Sequence, residues 1–401
     1  MKKHIINKGI FLLLSVSLIV ACSKNEVSTQ SAQSNVNVLK SKSWNQKDSA
    51  KVKVSVFASN VVFPRGLKFG PDGYLYVALA GTGGTDSTIG KCPQVVSPVG
   101  PYKGGHTSSI IKISPNGTVT KVADSLPSQI NGLGFSSGLS DVDFVGDKLY
   151  ALLVAGCSHG NADFPSSLIR VNRKTGKWHV VADLSFYFHN NPVAAPESDD
   201  FEPDGDPYSL IHVDHDFYAI EPNHGEMVKI TPGGKVTRVV DFSAHYGHIV
   251  PTAVTFNKDF YVGNLLTFPL LGDSSKIYKV TPGGDVSIYA SGFTGVLGVA
   301  FDNLNRLYVL ETSAGGGPTP MTGRVVRINK DNSRVVIIDK LFFPTAMTFG
   351  PDGALYISNM GFGPPTGQIL KVVIKDNRMF NHNDKYRNDH DGDNDDRFHE
   401  D

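Results

Sequence analysis

The chain has 401 residues, of which 40% are hydrophobic and 19% are charged. Lys plus Arg and Asp plus Glu number 38 each, so the formal net charge at pH 7 is zero. No basic run follows the first few residues. This balance gives no electrostatic reason to expect a nucleic-acid partner.

The first residues are typical of an export signal and not of a folded domain. Lys2, Lys3 and Lys8 form a basic start, and residues 9–20 form an apolar stretch. That stretch is too short to span a bilayer, which takes about 20 residues. It ends in Ile-Val-Ala-Cys at 19–22, which resembles the lipobox of bacterial lipoproteins.

The lipobox resemblance implies cleavage before Cys22 and attachment of a lipid to that cysteine. Residues 1–21 are then a lipoprotein signal peptide; the alternative is an ordinary signal peptide with an incidental Cys. Residues 22–50 are rich in Ser, Asn, Gln and Lys, which is typical of a flexible tether. We therefore expect a membrane-anchored protein outside the cytoplasm, in the periplasm or at the cell surface.

A repeated pair of apolar runs extends along the rest of the chain. In each unit a Phe or Val is followed, five to seven residues later, by a Tyr that begins the second run. The tyrosines are Tyr76, Tyr150, Tyr218, Tyr261, Tyr308 and Tyr356, and the last four are 43, 47 and 48 residues apart. A period of roughly 40–50 residues with four short strands is typical of a propeller blade. The sequence therefore predicts an all-β fold, a six-bladed β-propeller of four-stranded blades.

Turn sequences and one spare strand support this prediction. Pro-Asp-Gly recurs at 71–73 and 351–353, where Pro fixes φ and Gly tolerates positive φ. The sixth unit lacks a fourth strand, whereas residues 51–56 alternate as an unassigned strand. Pairing this N-terminal strand into the last blade would close the ring and remove two open sheet edges. The predicted propeller spans residues 51–375.

Two cysteines remain after Cys22. Cys92 and Cys157 follow the second strands of blades 1 and 2, which are neighbours. In an oxidising compartment a disulfide between them is the economical interpretation. A catalytic thiol is the alternative, but Cys92 has no base nearby in sequence, and the spacing of His159 from Cys157 proves little alone.

The propeller is longer than six minimal blades require, and the extra length lies mostly in loops after the second strands. The long segments are 80–107, 155–167, 264–274, 311–323 and 359–366, with a further insertion at 185–206. The loops after the second strands share one face with the segments that enter the innermost strands. Long loops on one face of a rigid scaffold are a usual place for a binding site. The alternative is loop growth without a ligand.

Polar side chains end four of the six second strands. They are Glu221, Asn264, Glu311 and Asn359, three residues after the repeated Tyr. Blade 3 adds Asn223 and His224, and the entry to blade 4 adds His248. All seven are predicted ligand-binding residues, and the first four are also candidate ligands of a divalent cation such as Ca²⁺. The alternative is that each carboxylate or carboxamide caps the backbone of its own loop.

The segment 376–401 is polar and acidic. Asp389, Asp391 and Asp393 alternate in a pattern that suits a hard cation, with Glu400 placed as in an EF-hand-like loop. However, Gly392 is misplaced for the EF-hand turn, and no amphipathic helices flank the segment. A solvated, disordered tail is the favoured interpretation.

The predicted six-bladed propeller resembles those of the gluconolactonase/regucalcin and paraoxonase families. This resemblance implies a central calcium ion and the hydrolysis of esters or lactones. In gluconolactonase-like members the metal ligands are acidic or amide residues at the start of the innermost strands. The matching positions here are Arg65, Ser140, Tyr208, Thr252, Leu297 and Thr345. None carries a carboxylate or carboxamide, and only the neighbouring Asp141 could substitute. This departure weakens the calcium-hydrolase hypothesis but leaves open a site that is built differently.

Several loop phrases together resemble the ScyD/ScyE family of bacterial propellers, which is related to NHL-repeat proteins. They include Phe-Pro-Arg-Gly-Leu-Lys-Phe-Gly-Pro-Asp-Gly (63–73), Pro-Val-Gly-Pro-Tyr-Lys-Gly-Gly (98–105), Gly-Cys-Ser-His-Gly (156–160), Phe-Glu-Pro-Asp-Gly (201–205), Glu-Pro-Asn-His-Gly-Glu (221–226), Gly-His-Ile-Val-Pro-Thr-Ala (247–253) and Val-Leu-Gly-Val-Ala-Phe (296–301). The resemblance implies an extracytoplasmic six-bladed propeller, and no established activity comes with it.

Three functional hypotheses follow. The first is a lipid-anchored propeller that binds a small molecule, a polymer or a partner protein through its loop face. The second is a metal-dependent hydrolase or lyase on the same face, with His224 or His248 as general base, because imidazole titrates near neutral pH. The third is a structural module of the cell envelope.

Overall fold

The computed structural model describes residues 51–198 and 201–375, which form a ring of six antiparallel sheets. This architecture confirms the predicted six-bladed β-propeller. The predicted signal peptide, Cys22, the tether and the acidic tail with Asp389, Asp391 and Asp393 lie outside the described residues. Within the described part, no helix is long and apolar enough to cross a membrane.

The strands of each blade follow one another in chain order, and the first strand of each lies at the axis. Blade 1 contains β2 (Pro64–Phe69), β3 (Leu75–Leu79), β4 (Lys103–Ile113), β5 (Val119–Ile130) and the short β6 (Ser136–Ser137). Blade 2 contains β7 (Leu139–Val145), β8 (Lys148–Leu153), β9 (Ser167–Val171) and β10 (Trp178–Asp183). Blade 3 contains β11 (Ser209–Val213), β12 (Asp216–Glu221), β13 (Glu226–Ile230) and β14 (Val236–Asp241).

Blades 4 to 6 complete the ring. Blade 4 contains β15 (Pro251–Asn257), β16 (Asp259–Asn264), β17 (Ser275–Val280) and β18 (Val286–Phe293). Blade 5 contains β19 (Val296–Phe301), β20 (Leu307–Glu311), β21 (Gly323–Ile328) and β22 (Arg334–Leu341). Blade 6 contains β23 (Ala346–Phe349), β24 (Leu355–Asn359), β25 (Gly367–Lys375) and, as its outer strand, β1 (Lys51–Val61).

The N-terminal strand closes the ring, as predicted. β1 pairs antiparallel with β25, from Lys51 opposite Lys375 to Val61 opposite Gly367. This pairing covers the edge of β25 with a strand from the other end of the propeller. It thereby gives blade 6 its fourth strand.

The repeated Tyr has a packing role at every junction between blades. Its ring contacts a Phe of the next blade, with centroids 4.5 to 5.0 Å apart. The six pairs are Tyr76–Phe144, Tyr150–Phe217, Tyr218–Phe260, Tyr261–Phe301, Tyr308–Phe349 and Tyr356–Phe69. Tilted and edge-to-face pairs of this kind stabilise beyond the area that they bury. The sequence period is therefore the period of the blade interface.

The propeller has two different faces. The loops between second and third strands, together with the segments that enter the first strands, form what we call the loop face. The short hairpins between first and second and between third and fourth strands form the opposite face. Two short helices that the sequence did not predict, α1 (Leu184–Asn190) and α2 (Ser243–Tyr246), lie in connections on the loop face. Asp183 caps α1 by accepting a hydrogen bond from the Phe186 N–H.

Candidate functional site

The four polar residues that end second strands each bond to the segment that enters the first strand of the same blade. The pairs are Glu221 Oε1 with Asp206 N (2.7 Å), Asn264 Nδ2 with Ile249 O (2.8 Å), Glu311 Oε1 with Thr294 N (2.7 Å) and Asn359 Oδ1 with Phe342 N (3.0 Å). These bonds match the capping alternative. Among the described residues, no group of three or more His, Cys, Asp and Glu side chains could hold a metal ion. A metal or ligand at these four positions stays a prediction.

The ring of first-strand positions that hold metal in gluconolactonase-like propellers alternates here between large side chains and hydroxyls. Each hydroxyl bonds to a main-chain carbonyl of the next blade. The bonds are Ser140 Oγ to Pro207 O (2.6 Å), Thr252 Oγ1 to Val296 O (2.6 Å) and Thr345 Oγ1 to Pro64 O (2.7 Å). The large members are Arg65, Tyr208 and Leu297. A cationic, a phenolic and an apolar side chain do not fit a central calcium, which requires oxygen ligands.

Tyr208 and Arg65 close the axis. The Tyr208 hydroxyl, from blade 3, donates to the Thr345 carbonyl of blade 6 at 3.0 Å. The Arg65 guanidinium donates to the carbonyls of Ser136 (2.7 Å) and Gly361. On the other side of this closure, a channel of about 390 Å³ is lined by the innermost strands of all six blades. The loop face is therefore separated from that channel at the axis.

In the channel, the Asp141 carboxylate is bonded to the protein backbone. Its carboxylate accepts hydrogen bonds from the N–H groups of Leu210 and Val142, both at 2.8 Å. Burial nevertheless raises the pKa of Asp141 to about 7. Asp141 thus links blades 2 and 3 at the axis.

Asn223 and His224 anchor the insertion that precedes blade 3. The Asn223 Oδ1 atom accepts from the Glu202 N–H at 2.8 Å, and His224 Nε2 lies 2.9 Å from the Glu202 carbonyl oxygen. The His224 ring stacks on Phe201 with centroids 4.9 Å apart. Burial lowers the pKa of His224, so this ring is neutral and held in place on both sides.

His248 lies in a different environment. Its Nε2 atom is 3.3 Å from Glu197 Oε2, and its buried Nδ1 atom has no hydrogen-bond partner among the described residues. Burial lowers the pKa of His248 although the Glu197 charge opposes this effect. A neutral imidazole oriented by a carboxylate is a general-base arrangement.

Glu202, which sequence reasoning did not select as a site residue, is the centre of a buried network. Its carboxylate accepts from the Tyr102 hydroxyl at 2.6 Å and from His159 Nε2 at 2.9 Å. The other His159 nitrogen lies 2.8 Å from the Ala155 carbonyl, so both ring nitrogens are donors. Burial opposes protonation of His159, but the hydrogen bond and charge of Glu202 raise its pKa to about 9. A buried imidazolium–carboxylate pair thus joins blades 1, 2 and 3.

The disulfide reinforces the same loops. Cys92 and Cys157 are bonded, with their Cα atoms 6.2 Å apart, which confirms the predicted bridge. Next to the bridge, Ser158 donates to Asp204 through its N–H (2.7 Å) and its hydroxyl (2.6 Å). The loops 80–107 and 155–167 and the insertion 185–206 are therefore tied together covalently and by hydrogen bonds.

Asp206 is the exception in this network. Its backbone N–H bonds to Glu221, but no hydrogen bond to its carboxylate is present among the described residues. The residue keeps partial contact with solvent. Burial, followed by the Glu202 charge, raises the pKa of Asp206 to about 8. The positive charges of His159 and, to a smaller extent, Arg65 oppose this shift. Such a carboxyl group without a partner can receive a polar group from a ligand.

An apolar pocket of about 150 Å³ lies on the loop face beside Arg65. Its lining includes Phe135, Leu265, Phe268, Leu270, Phe343 and Phe362. Phe362 connects it to the axis, because the Arg65 guanidinium lies 4.4 Å from the centre of the Phe362 ring. Arg65 thus contacts the wall of the apolar pocket through Phe362, and its charge also interacts with Asp206.

The structure brings together some predicted site residues and not others. Glu221, Asn223 and His224 meet around the insertion, whereas Asn264, Glu311 and Asn359 each serve a separate blade. Asp206 and Glu202 were missed as site residues. The acidic residues of the phrase 201–205 and the adjacent Asp206 could have indicated a site. However, no sequence motif distinguishes a carboxylate without a hydrogen-bond partner from one that caps a loop.

The chain matches no protein-family model, and no curated protein is significantly similar to it. Solved structures do resemble it. A gluconolactonase from Xanthomonas campestris is 13% identical with a TM-score of 0.50, covering 81% of this chain and 92% of that one. A protein of unknown function from Bacteroides thetaiotaomicron is 11% identical with a TM-score of 0.52, covering 80% and 76%. These likenesses show the propeller fold.

Proposed function

We propose that this chain is an extracytoplasmic β-propeller that binds a small ligand on its loop face. Two observations carry the proposal: Arg65 contacts Phe362 in the wall of an apolar pocket, and the Asp206 carboxylate, whose pKa the Arg65 charge affects, has no hydrogen-bond donor among the described residues. A ligand with an apolar body and a cationic or hydrogen-bond-donating group would fill both regions. Ligand sites commonly combine an apolar lining with a few polar groups that fix orientation.

The chemistry of Asp206 defines the polar end of the ligand. With a pKa of about 8, its carboxyl group is mostly protonated at neutral pH in the free protein. An ammonium group on the ligand favours the ionised carboxylate and lowers that pKa. Binding of an amine should therefore tighten as the pH rises through about 8, provided that the amine itself stays protonated.

The proposed location rests on the sequence and on the disulfide. Cys22 in its lipobox-like context would carry a lipid, and residues 22–50 would tether the propeller to a membrane. The Cys92–Cys157 bridge is consistent with an oxidising compartment, where disulfides form and persist. Membership of the ScyD/ScyE family, which the loop phrases favour, is part of this proposal.

Two fluorescent probes test the site. Dansylcadaverine carries an aromatic body and a primary amine, whereas dansylamide has the same aromatic body without the amine. We expect saturable fluorescence enhancement with both, tighter binding of dansylcadaverine, and a preference that grows from pH 6 to 9. The Asp206→Asn variant should bind the two probes equally at every pH.

The matched control is Asp204→Asn, because Asp204 is bonded to Ser158 and does not face the proposed ligand as a free acceptor. This variant should keep the preference for the amine. Absence of saturable binding of either probe, or an amine preference that Asp206→Asn does not change, would contradict the proposed site.

A second candidate function is hydrolysis with His248 as general base. The specific observation is the Glu197–His248 pair, in which the pKa of His248 is lowered and its Nδ1 atom has no partner within the part of the chain that the structure describes. Aryl ester and lactone hydrolysis by the purified chain should then be lost in His248→Ala and reduced in Glu197→Gln. Equal rates in the wild type and His248→Ala would rule out this function.

A further inference from the structure

The opposite face carries a groove whose charge differs from the neutral balance of the chain. The groove has a volume of about 760 Å³ and lies between blades 1 and 2, on the face away from the long loops. Its six cationic side chains are Lys112, Lys148, Arg170, Arg173, Lys174 and Lys177. Asp147 is the one acidic residue among its described lining. The half-buried Trp178 lies in the wall.

Most of this positive charge is uncompensated. Arg173 is paired, with Asp72 at 3.1 Å and the Tyr76 hydroxyl at 3.2 Å. The other exposed cations have no ion-pair partner among the described residues; they are Lys148, Arg170, Lys174 and Lys177. Several uncompensated positive charges in one groove attract an anion.

We propose that the acidic segment 389–396 of the same chain docks in this groove. The segment reads Asp-His-Asp-Gly-Asp-Asn-Asp-Asp, so five of its eight residues are Asp. From 376 to 401 the chain has nine Asp and Glu residues and four Lys and Arg residues. The charge of the segment is therefore complementary to that of the groove, and the proposed docking is electrostatic.

The topology places the start of the tail on the correct face. β25 ends at Lys375, next to the beginning of β24, where Leu355 pairs with Val372. The beginning of β24 follows the hairpin at 350–353, and such hairpins form the opposite face. The tail therefore leaves blade 6 on the same face as the groove.

The length of chain is sufficient. Thirteen residues lie between Lys375 and Asp389. An extended chain of that length reaches roughly 40 Å, whereas neighbouring sheets pack about 10 Å apart. Blade 6 contacts blade 1, and blade 1 contacts blade 2. The acidic segment can thus reach the groove across a single intervening blade, and it would compete there with any external polyanion.

Lysine footprinting tests this contact in the full chain. The reaction of lysines with an amine-specific acylating reagent is followed by mass spectrometry at low ionic strength. In the wild type, Lys148, Lys174 and Lys177 should react about threefold or more slowly than in a variant with Asp389, Asp391, Asp393, Asp395 and Asp396 changed to Asn. The exposed Lys235 and Lys330, outside the groove, should react equally in both proteins.

Salt and charge reversal complete the experiment. At about 1 M salt the Debye length falls to about 3 Å, so the difference between wild type and variant should vanish. Lys148→Glu with Lys177→Glu should release the tail, and Lys174 should then react at the same rate with or without the tail aspartates. Equal groove reactivity in the wild type and the five-Asn variant at low salt would overturn the proposal. So would protection that persists in the five-Asn variant, because the occupant would then be another polyanion.

Discussion

The loop face is built differently on its two sides. Around Glu202, blades 1 to 3 contribute buried charged groups that are held by hydrogen bonds and a disulfide. We call this the polar half. The apolar half is the pocket around Phe268, Leu270 and Phe343, formed mainly by loops of blades 4 to 6. The polar half pairs most of its buried charged groups with protein partners, whereas the apolar half contains the pocket.

This difference follows from the energetics of burial. A buried charge is costly unless it is paired and hydrogen-bonded, so the polar half must be rigid to be stable. Apolar side chains need no hydrogen-bond partners, so those that line the pocket of about 150 Å³ are stable without a bonding network. The polar half therefore suits orientation of a ligand, and the apolar half suits its capture. Asp206 and Arg65 lie where the two meet.

The largest effect on stability is expected when the charge of Glu202 is removed from the polar half. Glu202→Gln leaves the fully buried His159 without its counter-ion and should lower the free energy of unfolding by about 3 kcal/mol or more. The same change at Glu311 should cost only about 1–2 kcal/mol, because its partner Arg324 keeps 18% exposure and can turn to water. Urea unfolding of both variants measures the difference.

The pH dependence of that loss identifies its origin. The pKa of His159 is about 9 in the folded state, above its unfolded value of about 6.5. The pair therefore contributes fully below pH about 6.5, and its contribution is lost as the pH rises through 9. The stability gap between wild type and Glu202→Gln should shrink over this interval. A gap that stays constant would mean that His159 is not the charged partner.

Loss of the disulfide should have the next largest effect. Changing Cys92 and Cys157 to Ser should lower the free energy of unfolding by about 2–4 kcal/mol, because the bridge closes a loop of 65 residues in the unfolded chain. The change should loosen only the polar half. Hydrogen exchange should rise near His159 and Asp204 and stay unchanged around Leu270; a uniform rise would contradict the division.

The fold was predictable because the repeat in sequence is a repeat in packing. The repeated Tyr recurs once per blade because each one packs on a Phe of the next blade. The unassigned strand at 51–56 was recognisable because it pairs with the edge of β25. The short helices α1 and α2 were not predicted, since seven and four residues carry too weak a helical period to detect.

The site was predictable only in part, because capping and binding use the same residue types. Asn264 and Asn359 stood out as polar residues at strand ends, yet each bonds to its own blade. Glu202 and Asp206 stand four residues apart, but Glu202 is fully engaged and Asp206 is not. That contrast depends on which loops meet in space, and sequence spacing does not contain it.

Neutralising Asp206 tests how its carboxyl group affects the pH dependence of stability. Its folded pKa of about 8 lies above the unfolded value of about 3.9, so wild-type stability falls as the pH rises from about 4 to 8. Asp206→Asn removes this decline and should stabilise the protein at pH 8 by about 1 kcal/mol, a figure reduced for partial solvent contact. Thermal unfolding at pH 5 and pH 8 checks this. An equal effect at both pH values would show that Asp206 is ionised throughout.

The smallest effect on stability, with a large effect on binding, is expected in the apolar half. Phe268 is 56% exposed although it lines the pocket, so Phe268→Ala should change the free energy of unfolding by less than about 0.5 kcal/mol. The same change should weaken dansylamide binding on the order of fivefold to tenfold, because one aromatic contact with the probe is lost.

Phe186 provides the matched control for that experiment. It is 68% exposed and belongs to α1, in the insertion of the polar half. Phe186→Ala should leave both stability and dansylamide affinity unchanged. If the two alanine variants weaken the probe equally, the probe senses exposed aromatic side chains in general and the apolar half has no special role. If only Phe268→Ala does so, capture of the apolar body is localised to the pocket next to Arg65, where the Asp206 carboxylate can orient the polar end.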